Sequence, residues 1–587
     1  MVRAHAILFC GLLLVPLACG NHHSDDSTLT GPGLLPDFKE PTASVGGGVA
    51  LANAGTGTAA GSLSITSRGG IALSTSAPAG APAAPSGGAA VSDADLSADL
   101  SRAETIRIDG TVTAGGSDAV RTLTSTGGDI IIAGDLRGAR AMGATQGLTL
   151  NAPAGTVYVV GSIDTSGEAA EGTGNAGGAI TIAARSVVVT GRIEAAGGDA
   201  SGDGAMTAGA AGAVRITAGG DVWLARVSLH GGVAKSARDA ATGGAGATLT
   251  VDADGALNVT DSIDARGGPA SGAGNASAGA AGGIAIGQTA PPSQVVMGTR
   301  LDLVGGAGPD VGGAGGPLVL SARGGDLRFE STVDFSGGGS HAAPGNAGTF
   351  EATVGPDAGG FVVTGQIVGN GGSAEPGGTA NGGTGARLRV QITSQTGGYT
   401  FEQTGEIQLD GGASSGSGTA GGGGDMEMVC VDGNSALYGK LQALGGEAPE
   451  AGGVGGQGGI LHIWTDTNHN GIGGEFVIQP SGVIDVSGGS GSIGGSGRNN
   501  GGEGVALFPV HMEQLSVLID TETIGGNSKD GVVENLGVII SRGGAANGAG
   551  GDVMFHGRMR TGEDKTVSGH TEQQGHGTGP HGDFAGE

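Results

Sequence analysis

Apolar and polar residues alternate over short stretches along most of this chain, and the stretches recur in a fixed order. Gly177 to Gly198 holds one complete set: Ile180/Ile182, Val187–Val189 and Ile193, closed by Gly197-Gly198. Period-two alternation of this kind predicts strands with one buried face. Further opening strands read at Val214/Ile216, Leu249/Val251, Ile284/Ile286, Leu318/Leu320, Leu388/Val390 and Met426/Met428. Each set ends on an apolar residue, commonly an acidic one, two more residues and Gly. That ending occurs at Ile163-Asp164, Ile193-Glu194, Val227-Ser228, Ile263-Asp264, Leu301-Asp302, Val333-Asp334, Ile367-Val368, Ile407-Gln408, Leu441-Gln442 and Ile484-Asp485. The closing glycines, Gly167 to Gly488, lie 30 to 43 residues apart.

A recurring period in this range marks a stacked repeat architecture, in which each unit buries its apolar face only against the next. Three strands and about 22 residues per turn, plus an inserted loop of Gly, Ala and Ser, predict an all-β fold. The expected form is a right-handed parallel β-helix (β-solenoid) of about 11 coils with Gly-rich loop insertions. With about 4.8 Å between stacked strands, the rod is expected to be roughly 50–55 Å long. Gly219-Gly220-Asp221 and Gly324-Gly325-Asp326 read as turns between the first and second strands.

Composition tests this picture. The chain has 132 glycines and 20 prolines among 587 residues, a share that elsewhere signals low-complexity disorder. Disorder, however, gives no reason for β-branched residues to return in register. Collagen needs Gly at every third position, and that spacing is absent. Aromatics make up 3% of the chain, so the expected core is narrow and aliphatic. A net charge of −28 argues against nucleic acid as a partner and suits an extracellular surface or one that meets divalent cations.

The ends differ from the middle. Residues 1–19 read as an export signal, with Arg3 and then the apolar run Ala6–Leu17. Val15-Pro16-Leu17-Ala18-Cys19 resembles a bacterial lipoprotein signal, which implies lipidation of Cys19 and a membrane anchor. Gly20 after the cysteine implies the outer membrane by the same resemblance. Residues 20–44 have the composition of a tether, and 45–103 that of a linker and N-terminal cap, with a short helix expected over Val91–Arg102. The repeats are expected over 104–508, a terminal coil or two with a C-terminal cap over 509–556, and a disordered tail over 557–587. Cys430 is the one cysteine beyond the leader and ends an apolar strand, which reads as a buried thiol.

Three sets of residues are candidates for chemistry. If the repeats stack in register, Asp264, Asp302 and Asp334 form a column of carboxylates able to attract calcium. The plainer reading is that Asp favours the position before a turn. Asp466, Asn468 and Asn470, followed by Gly471, resemble the opening of a calcium-binding loop, but Val477 stands where its closing Glu belongs. Trp223 and Trp464 are able to stack on sugar rings, or simply to pack. No nucleophile, zinc or acid/base motif of any specificity is present.

Across roughly residues 105–555 the repeats resemble the right-handed parallel β-helix proteins of the pectin-lyase-like class. That class holds bacterial surface adhesins and polysaccharide lyases or hydrolases. The likeness rests on periodicity and Gly-Gly turns, so no active-site residue transfers with it. Two functions are expected from these readings. The first is a non-enzymatic, lipid-anchored protein of the bacterial cell envelope or surface, meeting a polysaccharide or cell-surface partner in adhesion or structure. The second is a carbohydrate-active enzyme, calcium-dependent through the acidic column.

Overall fold

A computed structural model describes residues 63–64, 72–73 and 82–586, apart from 116–119, 142–143, 356–358, 394–398, 466, 468–473, 497–515, 522–531, 552, 557, 560–569 and 573–583. The chain is a parallel β-helix. Its three faces appear in one early coil as Val120–Ser125, Ile130–Ile132 and Asp135–Gly138. Each face pairs in parallel with the same face of the next coil. The opening strands stack as the repeats predict: Ile180, Val214, Leu249, Ile284 and Leu318 are successive partners, followed by Phe350, Leu388, Met426, Leu461 and Val517. Pairing extends past both ends of the span 104–508, from Ala89–Ala90 to Phe584–Gly586.

Alternation is what makes this possible. In Thr349–Val354 every second side chain is buried and the others face water. The inward ones are Ile, Leu and Val, joined in the middle of the rod by Phe329, Phe335, Phe350 and Phe361, each fully buried. Phe350 sits between Phe329 and Phe361, with ring centroids 5.5 and 5.8 Å away in edge-to-face contact. Cys430 faces the same core.

The Gly-Gly-Asp turns have a specific use. Asp129, Asp221 and Asp326 each accept, on Oδ1, a backbone N–H of the following coil, from Thr156, Ala256 and Gly360 at 2.8 to 2.9 Å. The corner is therefore tied vertically where the ladder is interrupted.

The helix expected over Val91–Arg102 is not formed. Asp95–Ser97 makes a single 3-10 turn, and Leu100–Arg102 is a strand paired with Leu123–Ser125. Asp95 accepts both the N–H and the hydroxyl of Ser92, at 2.9 and 2.7 Å, which closes the turn at once. So short a helix is unstable unless packing holds it. The turn still buries Leu96 against the first coils.

The Gly-rich insertions, read from sequence as loops, are a second hydrogen-bonded layer. Each leaves the third face as an extended outgoing limb and comes back to the first face as a return limb. The limbs are joined by a zigzag that climbs the rod. The N–H of Gly198 donates to Asn175, Gly209 to Gly198, Gly232 to Gly209, Gly244 to Gly232 and Gly268 to Gly244, at 2.8 to 3.0 Å. The alternation continues to Gly544, which donates to Gly495. Neighbouring amides serve other partners: Gly197 donates up to His230, while Gly198 donates down to Asn175. Only glycine lets backbones approach this closely, since a Cβ on Gly244 would lie 1.9 Å from the oxygen of Gly209. Further out, Ala200–Gly202, Ala234–Ser236 and Ala270–Ser271 pair in parallel over a small core of alanines and Met206.

Candidate functional site

The carboxylate column exists as a column. On the third face Ile263, Leu301 and Val333 point inward, and the next residues, Asp264, Asp302 and Asp334, are direct register partners on the outside. Asp164 and Glu194 are partners lower down, and Asp485 is paired with Gln442 near the other end.

What surrounds these carboxylates decides their chemistry. Arg266 holds Asp264 with two nitrogens, Nε to Oδ1 at 2.9 Å and Nη2 to Oδ2 at 2.7 Å. Arg300 Nε reaches Asp302 Oδ1 at 2.6 Å, and Arg192 lies 3.4 Å from Glu194. Burial opposes the charged form of Asp264, but hydrogen bonds from the Arg266 side chain and backbone outweigh it. The charges of Arg266 and His230 add to them, and the carboxyl is held below the usual range. The same partnership pushes Arg266 up.

The carboxylates also turn back onto their own chain. Asp164, Asp264, Asp334 and Asp485 each accept the N–H two residues on, from Ser166, Arg266, Ser336 and Ser487, at 2.9 to 3.2 Å. This is the Asx turn that leads the chain into the outgoing limb. Where the column changes to Gln408 and Gln442, both amides donate to Asp410, which also accepts the N–H of Leu444. The column thus works as a charge-paired seam between the third face and the Gly-rich layer.

A calcium ion asks for six to eight oxygens around one point. The column offers single carboxylates in a line, with arginines interleaved. Among the described residues no group of three His, Cys, Asp or Glu side chains is placed to hold a metal. Asp466, Asn468 and Asn470 lie outside the described residues, as does Cys19. The arginines were open to sequence reading: in Arg192-Ile193-Glu194, Asp264-Ala265-Arg266 and Arg300-Leu301-Asp302 the opposite charges flank one apolar residue, which is buried in each case and leaves both charges outside.

Two half-buried acids lie elsewhere. Burial pushes Glu330 and Glu402 up on the second face, where Arg328 draws both back in part. On the first face Trp464 meets His462 edge-on, with centroids 5.4 Å apart, and Trp223 belongs to an outer cluster of the second face. The two tryptophans therefore stand on different faces and do not form one platform. Comparisons with protein-family models, curated proteins and solved structures find no match to this chain.

Proposed function

We propose that this is a non-enzymatic, lipid-anchored protein of the bacterial cell envelope or surface, whose rigid β-helix acts in adhesion or as structure. One observation carries the reading: the carboxylates that come closest to a catalytic or cation-binding array are already engaged. Hydrolysis or lyase chemistry needs two or three groups converging on a substrate, with one carboxyl free to exchange a proton. Here the acids stand in line, bound by arginines and N–H groups that make the turns.

A repeat surface of this kind acts through many weak contacts, each coil adding one. The partner is a polysaccharide or another cell-surface component, and the membrane is reached through lipid on Cys19. The test is a screen of residues 20–587 against acidic and neutral glycans, with and without calcium. Binding without cleavage is the expected result. Calcium-dependent cleavage that disappears in Asp264→Ala or Asp302→Ala overturns the proposal in favour of a carbohydrate-active enzyme.

A further inference from the structure

The outside of the second face carries an apolar stripe that the core does not need. One outward position per coil reads, in register, Arg107, Ile131, Tyr158, Val188, Trp223 and Asn258. Four consecutive apolar side chains are thus bounded by a charge and an amide. They form a cluster separate from the interior, yet Ile131, Tyr158 and Val188 are 0%, 8% and 2% exposed. Part of the cover is visible: Ala84 packs on the cluster, and Arg107 Nη1 donates to the carbonyl of Pro85 at 2.9 Å. Trp223, at the far end, is only partly buried.

We propose that this stripe is the docking surface for the chain's own Pro/Ala segment, Ala77–Pro85, which continues from Ala84 over Val188 and Trp223. Continuity is the first argument, since Ala84 and Pro85 already lie at one end of the stripe. Chemistry is the second. The segment APAGAPAAP carries no charge and no bulky side chain, and proline preorganises an extended helix that docks on aromatic surfaces at low entropic cost. Reach is the third. Four coils span about 14 Å at the strand spacing, and nine residues of such a helix cover roughly 28 Å. The N-terminal arm is then moored along the flank of the coils, in line with the contact of Ala72–Leu73 with Gln294–Met297 on the same face, two coils beyond Trp223.

Trp223 reports on this directly. With Trp464→Phe it becomes the only tryptophan, and residues 20–587 are compared with 86–587 by emission maximum and acrylamide quenching. The truncated chain is expected to show red-shifted emission and faster quenching, both reversed by adding a peptide of residues 70–88. Unchanged emission and quenching in a folded truncated chain overturn the proposal. So does exposure of Trp223 on simple dilution of the intact chain, because a second copy is then the cover. Should 86–587 not fold, Ala81→Asp with Ala84→Asp in 20–587 answers the same question. Either result leaves the adhesive reading untouched, since glycan binding is scored separately.

Discussion

Gly244→Ala is the sharpest perturbation of the Gly-rich layer. Gly244 is buried in the zigzag, donating to Gly232 at 2.9 Å and accepting from Gly268 at 2.8 Å. A methyl group there would sit 1.9 Å from the oxygen of Gly209 and 2.7 Å from the nitrogen of Gly232. Both are main-chain atoms, so relief requires separating the limbs. Gly244 is not among the glycines with positive φ, so the cost is one of approach and not of backbone conformation. Separation removes or stretches two hydrogen bonds and leaves their groups out of reach of water, which costs about 2–4 kcal/mol. Reduced freedom of the unfolded chain returns about 0.4–1 kcal/mol, so a net loss of about 1–3.6 kcal/mol is expected. Because stacked coils open locally, the loss belongs to the neighbouring insertions before it belongs to the whole rod. Limited proteolysis within residues 232–279, alongside urea denaturation, reads both levels. Gly219→Ala is the control, because no atom lies within 4 Å of a Cβ there. Equal resistance of the two variants would refute the reasoning, since it would mean that the limbs are not in contact.

Three further outcomes follow from the core and the charged groups. Phe350→Ala, which removes the ring between Phe329 and Phe361, is expected to cost about 3–5 kcal/mol in denaturant unfolding; a loss below 1 kcal/mol would place that ring outside a packed core. The Asp264 carboxyl is held below its unfolded value, so its contribution is present above the unfolded pKa and is lost as pH falls through the folded one. Asp264→Asn should therefore lower the unfolding midpoint at pH 7 and lose its effect in strong acid; an equal effect at both would exclude the ion pair as the cause. Glu402 has the opposite sign: burial raises its folded value, so its charged form costs stability once pH rises past the unfolded pKa. Glu402→Gln is expected to raise the midpoint at pH 7 more than at pH 4, and the reverse order would contradict its burial.

The β-helix was legible because its code is redundant. Inward positions recur at Ile180, Val214 and Leu249, and one slip of register would turn every one of them outward. The acidic column followed from the same register, and Asp264, Asp302 and Asp334 do lie side by side. Their partners do not follow from the register, because Arg266 and Arg300 sit two residues away along the chain and not in the column. The expected helix over Val91–Arg102 had a good cap but too few residues, and tertiary pairing of Leu100 with Leu123 took the second half of it. The Gly-rich insertions were the least legible. Glycine and alanine carry no alternation, and the information lies in the absence of side chains at positions such as Gly209 and Gly244, where backbone meets backbone.

Amide hydrogen exchange across the insertions tests that layer most directly. If the zigzag is formed, the amides of Gly198, Gly209, Gly232, Gly244 and Gly268 exchange slowly, approaching the strand amides of Ile216 and Val251. In the same insertions Gly204, exposed at the tip of its loop, exchanges fast. Exchange of all the insertion glycines at the rate of an unstructured peptide, with the strands still protected, would reduce the layer to loops and contradict the account.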